Sequence, residues 1–159
     1  MAFRVLDSSA FYAGIPFSSN EPSYITSLVY NEIEHIKKDH DAVQILIETK
    51  RLMISDPEHQ FIITANNAAK KSGDFPNLSD EDVSTIALSL QLKAELVTDD
   101  FAISNVAKNL SIKVIPVMTN GIKNIIIWKY YCPGCKTDFS KVTECPRCGN
   151  RLKRKPMKN

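Results

Sequence analysis

The fold is decided by Phe3-Arg4-Val5-Leu6-Asp7-Ser8-Ser9-Ala10, an apolar run of strand length that ends in a carboxylate and passes into small residues. A second stretch, Leu96-Val97-Thr98, ends in the same way in Asp99 and Asp100. Ligands of open α/β sheets collect outside the carboxyl ends of the strands, so these acids lie where chemistry is expected. If the two strands are neighbours in a parallel sheet, their acids meet at one edge. Each acid taken alone is also explained as the cap of the helix that follows it.

The rest of the first 120 residues alternates between helix and strand patterns. Residues 8–22 are rich in turn-forming residues and are expected to form a loop, followed by a helix capped by Ser23 or Thr26. Periodicity and breakers predict helices over 39–50, within 63–71, from Ser79 and over 101–110, and strands over 52–55, 96–98 and 113–117. Strands that alternate with helices at this spacing form βαβ units, so we expect an α/β domain with a central parallel sheet.

Glu32 belongs to the first long helix. It falls in the row Leu28, Glu32, Ile36, next to the buried spacing of Val29 and Ile33. We therefore expect Glu32 within the apolar stripe, where a carboxylate is costly unless it is paired or bound to a metal. The alternative is a position at the edge of the stripe, from which the side chain reaches water.

Asp82 lies in the first turn of the helix that begins at Ser79. Ser79-x-x-Asp82 matches a capping box, and the helix dipole stabilises acids there, so these residues alone favour a structural role. Carboxylates that share one edge of a sheet repel each other and require cations to stay ionised. Hard oxygen ligands suit Mg²⁺ or Mn²⁺, and such a cluster is the usual means of activating water against a phosphodiester.

The composition fits one domain with a small appendage, because the chain has 159 residues that are 43% hydrophobic and 24% charged. It contains no apolar run of transmembrane length and no signal-peptide pattern, so we expect a soluble cytoplasmic protein that does not contact a membrane. The net charge of +2 hides an asymmetry. Residues 1–122 carry 10 basic and 16 acidic side chains, whereas residues 123–159 carry 10 basic and 2 acidic ones. The basic part suits a polyanion.

All four cysteines lie in this basic part. They form two C-x2-C pairs separated by nine residues: Cys132 with Cys135, and Cys145 with Cys148. Four thiolates delivered by two tight turns match structural zinc, and a unit of this size needs a metal to fold. Redox disulfides and a rubredoxin-like iron site are the alternatives, and reduced cytosolic thiols disfavour the first. Since four ligands leave no position for a substrate, we expect the zinc to be structural.

These motifs together resemble the PIN-domain nucleases. The matching segments are Val5–Phe11, Glu32-Ile33, Leu78-Ser79-x-x-Asp82 with Ala87-Leu88, and Leu96–Ala107, and their order and spacing agree with the family. Within that superfamily, the cysteine ribbon and the string Thr-Asp-Asp-x-x-x-x-Asn-Val-Ala are similar to the archaeal NOB-type (NIN-one-binding) endonucleases. The resemblance covers residues 3–150. It implies a three-layer PIN domain and Mg²⁺- or Mn²⁺-dependent cleavage of the small-subunit ribosomal RNA precursor at its mature 3′ end, in the pre-ribosomal particle.

Residue by residue, the resemblance implies that Asp7, Glu32, Asp82 and Asp100 hold the metal. Asp99 would contribute or substitute for Asp100, and Thr98 would orient one of the acids. The expected domains are a nuclease domain over 1–121, a linker strand over 122–130, a zinc ribbon over 131–150 and a basic tail over 151–159.

The charge asymmetry predicts that RNA phosphates are bound mainly around the ribbon. The basic side chains expected there are Lys129, Lys136, Lys141, Arg147, Arg151, Lys153, Arg154 and Lys155. Two other functions remain open. One is a toxin-type PIN ribonuclease that acts on tRNA or mRNA, and the other is a zinc-ribbon RNA-binding assembly factor whose acid pocket is inactive.

Overall fold

The structure is a computed structural model that describes residues 3–34, 40–117, 126–139, 145–147 and 149–156. Its elements, in chain order, are β1 (Arg4–Leu6), α1 (Ser8–Tyr12), α2 (Ile15–Ser18), β2 (Ser23–Ile25), α3 (Ser27–Glu34), α4 (His40–Glu48), β3 (Leu52–Ile54), α5 (His59–Ser72), a 3₁₀ turn (Phe75–Asn77), α6 (Asp80–Leu92), β4 (Glu95–Val97), α7 (Phe101–Asn109), β5 (Val114–Ile115), β6 (Trp128–Tyr131), β7 (Asp138–Phe139) and β8 (Lys153–Pro156).

The central sheet is parallel, as predicted. In the described residues it contains five strands in the order β3-β2-β1-β4-β5. β1 and β4 are direct neighbours, with Leu6 opposite Val97. The residues that follow them, Asp7 and Thr98, therefore emerge side by side at the carboxyl edge of the sheet.

Helices cover both faces of this sheet and produce the expected three layers. Successive residues of a strand point to opposite faces. Val5 and Leu96 pack into one apolar cluster with side chains of α5, α6 and α7, while Leu6 and Val97 pack into another with α1, α3 and α4. Because both faces are covered, the strands consist of short, nearly continuous apolar runs.

The prediction of a loop over residues 8–22 is wrong. That segment contains α1 and α2, and β2 follows it directly, so Ser23 lies in a strand and not at a helix cap. Helix α3 instead begins after Thr26, whose Oγ1 accepts a hydrogen bond of 3.2 Å from the Val29 N–H. These elements are only three to five residues long, too short for hydrophobic periodicity to reveal them.

The later helices begin and end where their capping residues predict. Gly73, at φ 84°, ends α5, and a reciprocal capping box between Ser79 and Asp82 begins α6. Helix α5 is longer than predicted, because it starts at His59. Residues 122–125 of the expected linker strand lie outside the described residues.

The C-terminal unit is a small antiparallel sheet in the order β7-β6-β8. Its own apolar cluster consists of Tyr130, Cys132, Cys145 and Leu152, with Trp128 and Phe139 packed against it. The structure places residues 128–130 of the expected linker strand in the central strand of this sheet, and residues 153–156 of the expected basic tail in its edge strand. In the described ranges, no helix is both long and apolar enough to cross a membrane.

Candidate active site

Asp7 is the most firmly held of the predicted catalytic acids. It is 4% exposed and caps α1, where its Oδ1 accepts hydrogen bonds from Ala10 N (2.8 Å) and Ser9 Oγ (2.7 Å). Its Oδ2 accepts a short hydrogen bond from Thr98 Oγ1. Both oxygens are thus fixed, so the carboxylate is oriented before any ligand binds.

The two consecutive acids after β4 point to different partners. Asp100 caps α7, because its Oδ1 accepts from Ile103 N (2.9 Å), and its own N–H donates to Thr98 Oγ1 (3.0 Å). Asp99 Oδ1 instead accepts from the backbone N–H of Val117 (2.7 Å), beyond the end of β5. This geometry favours Asp100 over Asp99 as the acid that shares the site with Asp7.

Asp82 is partly buried in the first turn of α6. Its Oδ2 accepts from Ser79 N (2.9 Å), and its N–H donates to Ser79 Oγ (3.2 Å). Burial raises the pKa of the Asp82 carboxyl above its ordinary value, the capping bonds oppose the rise, and the nearby charges of Asp100 and Asp7 add to it. The residue is therefore both a helix cap and a member of the acid cluster, so the two interpretations of the sequence are compatible.

Glu32 is exposed, and the expectation that it lies inside the apolar stripe is wrong. Val29 and Ile33 are buried, but Leu28 is 38% exposed, so the row that contains Glu32 lies at the edge of the covered face of α3. Partial desolvation nevertheless raises the pKa of the Glu32 carboxyl, and repulsion from Glu81 and Asp82 raises it further. A hydrogen bond with the Ser8 side chain acts in the opposite direction.

The structure also brings three groups to this edge that sequence reasoning missed. The charge of Glu81 raises the pKa of Glu32, and the Ser8 side chain forms a hydrogen bond with Glu32. Burial raises the pKa of the Tyr12 hydroxyl, and the charge of Glu32 raises it further. In the sequence, Glu81 is explained as an acid that the helix dipole stabilises in the first turn of a helix. Nothing in the sequence therefore assigned it to the site. Ser8 and Tyr12 lie in the segment expected to be a loop, so no periodicity placed them.

The donors at this edge fit a hard divalent cation. They are carboxylate oxygens, and their mutual repulsion raises the pKa of both Glu32 and Asp82. In the part of the chain that the structure describes, no three carboxylates bring oxygens within 4.8 Å of one another, whereas the cysteines do meet this distance. The carboxylates therefore do not converge on a single point, as expected when like charges repel each other.

Three of the four predicted zinc ligands are brought together. The thiols of Cys132, Cys135 and Cys145 all lie within 4.8 Å of one another, and Cys148 lies outside the described residues. The sulfurs of Cys145 and Cys135 are 3.9 Å apart, too far for a disulfide bond of about 2 Å. The Cys135 N–H donates to Cys132 Sγ (3.3 Å), the type of outer contact that steadies a metal-bound thiolate.

The predicted RNA-binding residues divide between two faces of the ribbon sheet. Lys129 and Lys155 are paired across β6 and β8 and share one face, where both contact Asp138 at 3.2 and 3.4 Å. Lys153 and Tyr131 are the next pair on that face. Lys136, Arg147 and Arg151 are exposed outside these strands, and Lys141 lies outside the described residues.

Arg154 belongs to the opposite face of the ribbon. Its guanidinium lies 4.2 Å from the centroid of the Trp128 ring. Burial raises the pKa of the Asp74 carboxyl in the nuclease domain, and the Arg154 charge is among the effects that oppose this rise. The side chain thus takes part in a contact between the two units, which sets it apart from the lysines of the outer face.

The ribbon docks on the nuclease domain through the fully buried Asn105 of α7. Its side-chain amide donates to the Ile126 carbonyl, and its Oδ1 accepts from the Ile126 N–H (2.7 Å). The same amide donates to Asp74 Oδ2 (2.6 Å), which also accepts from Ser72 Oγ (2.7 Å). Asn105 is part of the family-like string, but its role as the anchor of the segment that enters the ribbon was not evident from the sequence.

Two aromatic residues of β6 complete this interface. The Tyr130 hydroxyl donates to the Gly73 carbonyl, and the Trp128 ring meets Phe101, the residue after Asp100, edge to face at 6.2 Å. A Cβ at Gly73 would lie 2.5 Å from the Trp128 carbonyl oxygen, so no larger residue fits there. The ribbon therefore rests on the same helix that Asp100 caps.

A family model described as the PIN domain of ribonuclease matches residues 5–92. Endoribonuclease Nob1 of Pyrococcus abyssi is 32% identical over 157 residues, which are 97% of this chain and 94% of that protein. The chain belongs to the Nob1 family of PIN-domain endoribonucleases. Nob1 of Methanocaldococcus jannaschii is 37% identical over the whole of this chain and 80% of its own length. Ribonuclease VapC1 of Thermoplasma acidophilum is 36% identical over 77% of this chain and 63% of its own length.

Membership of the Nob1 family confirms the predicted family, the PIN-like α/β fold and the endoribonuclease activity. The substrate class is therefore RNA. Since the alignment with Nob1 of P. abyssi takes in 97% of the chain, it extends into the cysteine ribbon.

Proposed function

We propose that the chain cleaves the precursor of small-subunit ribosomal RNA at its mature 3′ end, using Mg²⁺ or Mn²⁺ held by Asp7, Glu32, Asp82 and Asp100. The observation that carries the proposal is the fixed Asp7 carboxylate at the meeting point of β1 and β4, with burial and the charges of nearby acids raising the pKa of Glu32 in α3 and Asp82 in α6. Such a set of oxygen donors is stable as anions only with bound cations.

In this proposal, a bound divalent ion supplies an activated water and offsets the charge that develops on the cleaved phosphate. The chain's own residues provide the orientation. Ser9 and Ala10 hold one Asp7 oxygen and Thr98 the other, so this ligand is in place before the metal arrives. Asp82 and Asp100 are fixed by their own helix caps, whereas the exposed Glu32 completes the set from α3.

We propose that zinc is held by Cys132, Cys135, Cys145 and Cys148 and has a structural role. Three of these thiols already converge, and the described residues of the ribbon bury only a small apolar cluster. A cluster of this size does not offset the entropy of folding, whereas zinc binding contributes on the order of 10 kcal/mol. Because zinc needs reduced thiolates, a cytoplasmic location belongs to the same proposal.

RNA binding is assigned mainly to the basic face of the ribbon and the exposed cations around it. Lys129, Lys153 and Lys155 lie on that face, and one aromatic ring, Tyr131, lies among them with Lys155 Nζ 5.1 Å from its centroid. Lysines beside a half-buried ring suit a single strand, which offers phosphates and stacking bases together. Arg154 is excluded from this set, because it contacts Trp128 within the interface.

The substrate is tested with purified protein, Mn²⁺ and three RNAs of equal length: a fragment spanning the 3′ end of the small-subunit ribosomal RNA, a tRNA precursor and an mRNA segment. We expect a single cut at the mature 3′ end of the first and slow, scattered cleavage of the other two. Preferred cleavage of the tRNA or the mRNA would favour a toxin-like activity, a candidate supported by the similarity to VapC1. Binding of the ribosomal fragment in its particle without any cleavage would support the assembly-factor function.

A further inference from the structure

A groove of about 330 Å³ runs between the C-terminal end of α5 and the ribbon. On one side it is lined by Lys70 and Lys71 of the nuclease domain, and on the other by Ile127, Lys129 and Phe139. Trp128 and Asp138 complete its lining. No acid of the catalytic cluster lines the groove, whereas Lys129 also belongs to the basic face assigned above to RNA binding.

The walls of the groove are held at a defined separation. Just after Lys71, the Gly73 carbonyl accepts a hydrogen bond from Tyr130 of the ribbon, and Asp74 accepts hydrogen bonds from Asn105 and Ser72. Trp128 is confined by the close approach of its carbonyl oxygen to Gly73, at 2.5 Å from the position a Cβ would take there. The groove is thus formed by a packed interface between the two units.

The charge of the groove is unusual for its location. The first 122 residues carry an excess of acids, yet two consecutive exposed lysines occupy the last turn of α5 beside the basic ribbon. The one acid in the lining, Asp138, already contacts both Lys129 and Lys155. Three lysines with a neutralised acid produce a positive potential that attracts an anion.

The apolar part of the lining points to a ligand with flat, apolar surfaces as well as charge. Ile127 is 42% exposed and Phe139 half-buried, so both present surface to the groove. The Trp128 ring is already covered by Arg154 and Phe101. A single-stranded polynucleotide offers phosphates to the lysines and bases to the apolar side chains, whereas an acidic peptide offers only the first.

We propose that this groove binds single-stranded RNA, with Lys70 and Lys71 contacting two successive phosphates, and that it extends the basic face of the ribbon onto the nuclease domain. The identification of the ligand as RNA rests on the proposed function. Trp128 of the groove contacts Phe101, the first residue of α7 after its cap Asp100, so RNA bound there is led toward the acids.

The test compares the double variant Lys70→Gln/Lys71→Gln with the control Lys50→Gln/Lys93→Gln, which removes the same charge from two exposed lysines outside the groove. Binding of a 20-nucleotide oligouridine is measured without divalent metal at several salt concentrations, and cleavage at saturating RNA is measured separately with Mn²⁺. Two lost phosphate contacts should reduce the slope of log affinity against log salt by about 1.4. The control should change it by less than about 0.3 and should leave the cleavage rate at saturating RNA unchanged.

Equal salt-dependence slopes for the two variants would contradict the proposal that the groove binds RNA. Cleavage of precursor RNA by the unaltered protein would still support the proposed function. Failure of the unaltered protein to cleave any RNA would overturn the proposed function, and the slopes would still report on the groove. Polyglutamate that competes as well as oligouridine of equal charge would contradict the assignment to RNA in favour of an acidic protein partner.

Discussion

Thr98 Oγ1 donates its hydrogen to the Asp7 carboxylate, 91 residues away in the chain, and accepts the Asp100 N–H at the same time. One hydroxyl thus ties the acid after β1 to the acid that caps α7. Thr98 is 1% exposed, so water does not replace it. The separation of the two acids is therefore set by the register of β1 against β4, in which Leu6 pairs with Val97.

Replacement Thr98→Val keeps the shape and removes this hydroxyl. Leaving buried polar partners unsatisfied costs roughly 1–3 kcal/mol, so we expect RNA cleavage to fall about ten- to a hundredfold while the fold persists. Thr98→Ser should restore most of the rate. Thr64→Val is the control, because its exposed hydroxyl bonds only to the Gln60 carbonyl within α5. Equal rates for Thr98→Val and the unaltered protein would show that Asp7 needs no orientation by Thr98.

Replacement Glu32→Gln should stabilise the protein when Mg²⁺ and Mn²⁺ are absent. Burial and the repulsion from Glu81 and Asp82 raise the pKa of Glu32 above its ordinary value of 4.5, so its ionised form destabilises the fold. This penalty is absent below about pH 4.5 and fully present once the pH exceeds the raised pKa. Thermal melts with zinc retained should show the variant more stable at pH 7 and equal to the parent near pH 4.

The size of the Glu32 effect is limited, because the side chain is exposed and water screens its charge. Glu48→Gln, at an exposed position of α4, is the matched control. Added Mg²⁺ should reverse the order at pH 7, because it binds the parent more tightly. A Glu32→Gln variant that is less stable than the parent at pH 7 without divalent metal would contradict the repulsive cluster.

Replacement Gly73→Ala should separate the ribbon from the nuclease domain, because the added Cβ would lie 2.5 Å from the Trp128 carbonyl oxygen. The chain has one tryptophan, so its fluorescence reports on Trp128 alone and should shift to the red. Gly14→Ala is the matched control, since Gly14 has φ 80° against 84° for Gly73 but no atom within 4 Å of an added Cβ. Both variants bear the same backbone strain of about 1–2 kcal/mol. Identical spectra for the two would mean that the ribbon does not dock on Gly73.

Replacement Cys132→Ser, or removal of zinc by a strong chelator, should unfold the ribbon and leave the nuclease domain folded. The two apolar clusters of the nuclease domain contain no residue beyond 117 among those described, so they do not depend on the metal. Metal analysis should find one zinc per chain, and amide signals from about residue 130 onward should collapse when it is removed. A zinc-free protein with an intact C-terminal sheet would contradict this role.

Much of the fold follows from local sequence, because its determinants are local. Asp7, Ser79 and Asp100 cap the helices that follow them, and Gly73 ends α5, so each of these boundaries can be read from a few residues. The short elements between residues 8 and 25 could not be predicted. Their positions depend on the pairing of β2 with strands on both sides, which is a tertiary contact.

The acids of the site could be predicted as a group, but their surroundings could not. An acid at a strand end is visible in the sequence, whereas the contacts of Asn105 with Asp74 and Ile126 join residues 31 and 21 positions apart. The exposure of Glu32 shows the limit of helical periodicity. The spacing of Val29 and Ile33 identifies the buried face of α3, but the elements that pack against the helix decide how wide that face is.

The proposed metal site is tested most directly by the single-turnover cleavage rate of Asp7→Asn and Asp82→Asn with Mn²⁺, measured together with their melting temperatures. Asparagine retains an oxygen that accepts the capping bonds, so both variants should fold while losing the charge that holds the metal. Each rate should fall by two or more orders of magnitude, the scale for removing one preorganised charge, while Glu48→Gln leaves it unchanged. Normal rates with earlier melting would mean that these acids only cap helices, and the metal-dependent site proposed at this edge of the sheet would be wrong.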